Sequence, residues 1–210
     1  MYIPNQFQEP RIDVLHELMR RNPLATLVTL TSDGLNANHI PLYLAADAPP
    51  FGTLRGHVAR SNPICQNINA PVEVLTIFHG PNAYISPSWY ATKKENSNVV
   101  PTWNYAVAHA YGTLKVIEDA DWIYAQLVAL TERQEAVFTE PWHVADAQPD
   151  FTEKLLSHIV GIEITITKLL GKWKISQNQP AKNQASVIAN LNDHGSSELA
   201  TLMQQYHSTE

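Results

Sequence analysis

A chain of 210 residues, 44% of them apolar, is long enough to bury a full hydrophobic core, and its single cysteine excludes both an internal disulfide and a thiolate metal cluster. Charged residues make up 16%, and a formal net charge of −6 argues against a protein that coats nucleic acid, which needs a dense basic surface. Ten of the 20 acidic residues lie between Glu118 and Glu163, where the only basic ones are Arg133 and Lys154. Low charge with ordinary apolar content is the composition of a folded chain that buries surface against a partner.

In chain order, residues 9–23 predict a short helix. Pro10 suits its first turn, Ile12, Leu15 and Met19 share a face, and Asn22-Pro23 stops it. Residues 24–44 predict a β-hairpin, two β-branched runs about Ser32-Asp33-Gly34. Pro41 cannot donate to a ladder, so the second strand is an edge there or bulges and exposes backbone groups. Residues 49–58 predict a third strand. Residues 61–69 predict a short helix, with Asn62 as N-cap and Pro63 at its first position. Residues 71–80 and 81–90 predict a fourth and a fifth strand, and the polar stretch 91–101 a mobile loop.

The aromatic and β-branched run 102–117 predicts a long strand. Residues 119–136 predict the clearest helix, with Ile123, Leu127 and Leu130 at helical spacing behind an acidic first turn. A helix at 151–159, strands at 160–176 broken at Gly171, and helices at 180–192 and 196–207 complete the pattern. The fold expected is mainly β with α: an antiparallel closed or split β-barrel with peripheral helices and a helical C-terminal tail. The opening "MYIPNQFQEPRID" has neither the basic nor the apolar region of a signal peptide, and no apolar run approaches bilayer length, so a cytoplasmic chain is expected.

Three stretches carry candidate chemistry. "LRGHVARSNP" (54–63) places Arg55 and His57 on one face of a strand and Arg60 and Ser61 at the mouth of the following helix. That is either an anion cradle or a solvated turn. "HIPLYL" (39–44) is either an ordinary edge strand or one that offers backbone groups to a flat heterocycle. Tyr84, Trp89, Tyr90, Trp103 and Tyr105 are interleaved with Pro87, Ser88 and Pro101, which favours a pocket or an interface over a core. Neither HxH nor HExxH spacing occurs, so no metal is expected. Cys65 reads as a buried thiol rather than a nucleophile.

"MYIPNQF", "NHIPLYL", "GTLRGHVARSNP", "FHGPNAYISPSWY", "VPTWNYAVAHAYG" and "KWKISQNQP" occur in this order from Met1 to Asn178. Together they resemble the PaiB family of FMN-binding proteins, described as negative transcriptional regulators of protease synthase and sporulation. The resemblance implies the split β-barrel of pyridoxamine-phosphate-oxidase-like flavoproteins, which are homodimers with FMN at the subunit interface. It implies a split-barrel domain over 1–178, with a helical insertion at about 119–159, and a helical extension over 179–210.

By the same resemblance, Asn38, His39, Ile40 and Pro41 lie along the flavin ring. Leu54, Arg55, Gly56, His57, Arg60 and Ser61 form the phosphate strand and its junction. Tyr84, Ser86 and Trp103 come from the aromatic segments of the partner chain, and Trp173 or Lys174 from the late strand. The function implied is that of an FMN-binding flavoprotein, open to flavin-dependent redox activity. The alternatives are a haem-binding split barrel and a direct DNA-binding regulator. The acidic charge and the lack of a helix-turn-helix pattern disfavour DNA contact, so regulation is expected through a partner protein or a small molecule.

Overall fold

The computed structural model describes residues 1–32, 34–45, 47–65, 71–95 and 99–207. Among them, the strands are β1 (Gln8–Glu9), β2 (Leu24–Thr31), β3 (Gly34–Pro41), β4 (Tyr43–Ala45), β5 (Thr53–Ala59), β6 (Val72–Ile85), β7 (Thr102–Ile117) and β8 (Ile159–Lys174). The helices are α1 (Ile12–Arg21), α2 (Ala120–Glu135), α3 (Pro149–Leu156), α4 (Ala181–Asp193) and α5 (Ser197–His207). The strands form one antiparallel sheet in the order β3-β2-β6-β7-β8-β5-β4, with β1 added on β8. The chain divides into two compact units, and β6, β7 and β8 contribute residues to both.

The larger unit comprises residues 12–78 and 109–169. β2 and β3 form the expected hairpin, in register from Leu24 opposite Pro41 to Thr31 opposite Gly34. Asp33 of its turn lies outside the described residues. β3 is the outer strand, which suits Pro41 because no second neighbour needs its missing N–H. β5 pairs with β4 on one side and β8 on the other, so that Arg55 stands opposite both Tyr43 and Glu163. Leu27, Leu54, Phe78, Leu114, Ile162 and Ile164 are fully buried and make the core. α2 opens on Asp119, whose carboxylate accepts from the Trp122 N–H at 2.7 Å and satisfies one of the helix's free donors.

The smaller unit comprises residues 1–11, 79–108 and 170–210. Trp173, Ile85, Ile175, Val187, Leu191, Leu199 and Met203 form its core. Glu9 is buried and takes three hydrogen bonds from Arg11, through the backbone N–H, Nε and Nη2. A buried carboxylate is tolerable because those donors replace its water. Asn183 on α4 accepts from the Thr92 N–H at 3.0 Å and donates to Thr92 Oγ1 at 3.0 Å, fixing the 3₁₀ turn Ala91–Lys94.

Several elements differ from expectation. The first helix begins at Ile12, not in the first turn around Pro10, because Gln8 and Glu9 are drawn into the sheet opposite Lys172 and Gly171. The strands expected at 71–80 and 81–90 are one strand, β6. β2 begins at Leu24 and runs antiparallel with Thr26 opposite Ile77, so it ends before Pro81 and never needs that residue's N–H. β8 continues through Gly171, because β1 supplies it with a ladder partner. Residues 24–45 hold three strands rather than two: Leu42 separates β3 from β4, and its N–H donates to the Pro23 carbonyl at 2.8 Å, one step beyond the Leu24–Pro41 pair.

At 61–69 the described part is only the 3₁₀ turn Pro63–Cys65, and residues 66–69 lie outside the described residues. Asn62 caps that turn, its Oδ1 accepting from the Ile64 N–H at 3.0 Å. In the stretch expected as a loop, Ala91–Lys94 is a 3₁₀ turn and residues 96–98 lie outside the described residues. No helix among the described residues is long and apolar enough to cross a membrane.

Candidate functional site

In the larger unit, Arg55 and His57 do share one face of β5, but α2 covers it. The Arg55 guanidinium lies 5.9 Å from the centre of the Trp122 ring, and His57 Nδ1 is 3.0 Å from Gln126 Oε1. Trp122 and Gln126 are one helical turn apart, which is why a single helix meets both strand residues. Arg55 also donates through Nη2 to Asp47 at 2.5 Å and through Nε to Glu163 at 3.1 Å. Its charge is already met by two carboxylates, so it braces β5 against its neighbours. His57 is similarly engaged. The open cluster of three basic groups expected from the sequence is not present, and Arg60 is the basic residue left toward solvent.

Arg60 is half-exposed. Its Nε donates to the Ser157 carbonyl at 3.2 Å and its Nη2 to the Ile159 carbonyl at 3.3 Å. Ser157 ends α3, so the guanidinium sits on the partially negative end of a helix. Among the described residues Nη1 has only the exposed Glu118 carboxylate, at 3.6 Å. Ser61 is exposed beside it. Asn62 Nδ2 donates to Asn38 Oδ1 at 3.0 Å, which joins this junction to β3. His39 on the same strand holds Thr26 Oγ1 at 3.2 Å. The Asn62–Asn38 bond thus ties β3 to the junction that carries Arg60 and Ser61.

Ile40 and Leu54 are buried in the core, while Pro41 is exposed at the edge. Gly56 is a packing residue: a Cβ there would stand 2.7 Å from Leu42 Cδ2. Cys65 is half-buried, and burial pushes its thiol above the ordinary value, with Arg60 pulling the other way.

In the smaller unit, Tyr84 and Trp103 are both exposed, and their rings meet edge to face with centres 6.1 Å apart. Ser86 caps the 3₁₀ turn Pro87–Trp89, accepting from the Ser88 N–H at 3.2 Å. Trp173 is 2% exposed and belongs to the core, so it offers no ring face to a ligand. Lys174 donates to Thr102 Oγ1 and, at 2.7 Å, to the Trp103 carbonyl. It lines a cavity of about 220 Å³ together with Phe7, Tyr90, Thr102, Asn104 and Ser176.

Burial, and then the neighbouring Lys172, hold the Lys174 amine below the usual lysine range. Burial raises the Tyr90 hydroxyl. Asn104 donates to Ser176 Oγ at 2.8 Å, while its buried Oδ1 has no partner among the described residues. Sequence reasoning missed Asn104, Ser176, Thr102 and Phe7. A signal for Asn104 existed: it falls in the inward series of β7 with Ala106, Ala108 and Ala110, a lone amide among small apolar residues.

The sequence model of a family described as "Putative FMN-binding domain" matches residues 1–168. The Bacillus subtilis protein named Protease synthase and sporulation protein PAI 2 is 31% identical over 207 residues, covering 97% of each chain. An uncharacterised protein of Emericella nidulans is 34% identical over 232 residues, covering 93% of this chain and 92% of that one. Among solved structures, an FAD- and haem-binding protein from Mycobacterium smegmatis has a TM-score of 0.62 at 18% identity, covering 85% of this chain and 78% of that chain. A flavocytochrome from Azotobacter vinelandii has a TM-score of 0.58 at 10% identity, covering 85% and 75%. These two share the fold, an antiparallel split barrel with added helices. The chain belongs to the FMN-binding domain family that "GPNAYISPSWY" and "VPTWNY" pointed to.

Proposed function

We propose that this chain is a homodimeric flavoprotein that holds FMN at its subunit interface and uses it for redox chemistry on a small molecule. The observation that carries the reading is the family match over residues 1–168. The junction at Arg60 fits a phosphate. Among the described residues its Nη1 is committed to nothing nearer than Glu118 at 3.6 Å, Ser61 adds an exposed hydroxyl, and the Asn62–Asn38 bond ties β3 to the same junction. Arg60 binds the phosphate, Ser61 donates to it, and Asn38 and His39 line the approach along β3. Bound FMN supplies hydride or single-electron transfer; the chain's residues hold and orient it.

The Bacillus relative is named for protease synthase and sporulation. If this chain has a comparable role, it acts through a partner or a small molecule, since a net charge of −6 opposes contact with DNA.

Titration of the purified chain with FMN tests the reading, with Arg60→Ala as the variant. Loss of one charge-assisted contact weakens binding about tenfold. Failure of the wild type to bind FMN sinks the flavoprotein, and unchanged affinity in Arg60→Ala sinks the phosphate assignment. Sedimentation across a concentration series tests the dimer.

A further inference from the structure

We propose that the cavity at Lys174 and Asn104 is a second binding site, one that takes a small organic carboxylate carrying an N–H donor and a short apolar body. The family resemblance placed Lys174 against FMN; its cavity is here given a different ligand, while the flavin reading above rests on Arg60 and Ser61. Every residue lining the cavity belongs to the smaller unit.

The polar groups set the ligand's chemistry. No acidic residue lines the cavity. Lys174 meets only neutral oxygens, Thr102 Oγ1 and the Trp103 carbonyl, which leaves one of its three donors for a ligand. Lys172, two residues away, donates to the Tyr2 carbonyl and lies over the Tyr2 and Tyr105 rings. Neither lysine has an ion-pair partner among the described residues, so two positive charges near one cavity wait for an anion. Burial first, and Lys172 second, lower the affinity of Lys174 for its proton, and an incoming carboxylate opposes both.

Asn104 supplies the complementary acceptor. It is 1% exposed, and its Nδ2 faces two acceptors, Ser176 Oγ at 2.8 Å and Met203 Sδ at 3.7 Å. That orientation leaves Oδ1 buried without a donor. Buried polar atoms are almost always paired, so an unpaired one on a cavity-lining residue marks a place for a ligand's N–H, reached once the ligand's entry turns the amide toward the cavity. Ser176 holds the arrangement in a left-handed backbone conformation, φ 66°, which an ordinary side chain adopts only where the surroundings impose it.

The walls set the ligand's size. Phe7, Tyr90 and Val100 present apolar surface, with Val100 72% exposed at the edge. A volume near 220 Å³ is smaller than pockets for drug-sized ligands. An N-acylated amino acid with a small aliphatic side chain has the required carboxylate, N–H and apolar body.

The test is calorimetric titration of the full chain, with and without saturating FMN, using three probes. N-acetylvaline has all the features, N-acetylvalinamide lacks the charge, and 4-methylpentanoate lacks the N–H. The expected result is binding of N-acetylvaline with or without FMN, about tenfold weaker binding of each of the other two, and loss of N-acetylvaline binding in Lys174→Met. Val100→Asp, at an exposed position, keeps the fold and repels the anion, so it reports even where Lys174→Met does not fold. Equal binding of the three probes, no binding of N-acetylvaline, or unchanged binding in the variants overturns the proposal. So does displacement of N-acetylvaline by FMN, which makes the cavity the cofactor's own. Loss of FMN binding alone, with N-acetylvaline retained, overturns the flavin reading and leaves this one standing.

Discussion

The indole of Trp122 rests on Gly161: a Cβ built at that glycine would stand 2.4 Å from Cζ3 of the ring and 3.2 Å from Ile117 Cβ. Gly161 lies opposite His57 in the ladder, so the missing side chain lets α2 approach β8 and β5 together. The same ring then stands near Arg55.

Gly161→Ala therefore pushes α2 off the sheet. Overpacking of this kind costs about 1–3 kcal/mol. The expected outcome is a lower melting temperature with native-like far-ultraviolet circular dichroism. An unchanged melting temperature means that α2 shifts freely and the contact is not tight.

Arg55 and Arg60 are distinguishable by substitution. Arg55→Met breaks contacts to Asp47, Glu163 and Trp122 but touches no proposed ligand contact. It lowers stability by about 1–2 kcal/mol, discounted for partial exposure, and leaves FMN affinity as it was. Urea midpoints and flavin titrations measured side by side decide the matter. A large loss of flavin affinity in Arg55→Met returns this arginine to the phosphate site.

Cys65 reports on Arg60 from a second direction. Burial raises its thiol most, Arg60 lowers it, and Glu118 raises it. Since the thiolate is the reactive form, Cys65 reacts with iodoacetamide more slowly at neutral pH than an exposed thiol does. Arg60→Ala slows it further, and Glu118→Gln speeds it. A pH–rate series on the three proteins checks the order, and a faster Arg60→Ala contradicts the electrostatics.

Lys174 ties stability to alkaline pH. Its amine releases a proton below the ordinary value of 10.5, through burial first and Lys172 second. Between its native value and 10.5 the unfolded chain binds more protons than the native one, so this group's contribution to stability rises with pH across that window. Below the window the charged amine is a full penalty on the fold. Lys174→Met has nothing to titrate there. The stability of the wild type relative to Lys174→Met should thus climb as pH approaches 10.5, by urea denaturation, and a falling difference contradicts the assignment.

Local signals made much of the fold legible. β7 occupies 102–117 as its aromatic and β-branched run predicts, and α2 starts behind Asp119 because an aspartate there caps the helix. The misreadings came from residues whose meaning depends on distant partners. Pro81 breaks a strand only if a neighbour needs its N–H, and β2 stops short of it. Gly171 ends a strand only if nothing pairs with it, and Glu9 does.

The site shows the same division. That Arg55 and His57 share a face follows from strand geometry. That Trp122 and Gln126 cover this face depends on a helix more than sixty residues later in the chain, which no local pattern encodes. Trp173 resembled its aromatic neighbours in sequence, but it is core, while Tyr84 and Trp103 are exposed.

The pairing of Gln8 with Lys172 has a consequence for synthesis. The first strand of the smaller unit leaves the ribosome long before its partner, and Arg11 must wait longer still for the Tyr206 ring that it lies against. The larger unit holds a contiguous stretch, 12–78, and is complete by residue 169. The smaller unit draws on three segments far apart in sequence, 1–11, 79–108 and 170–210, so its contacts wait for the last of them to be synthesised. Phe7 and Lys174 line one cavity although most of the chain lies between them in sequence. A ligand seated between them reports that the late strand has reached the early one.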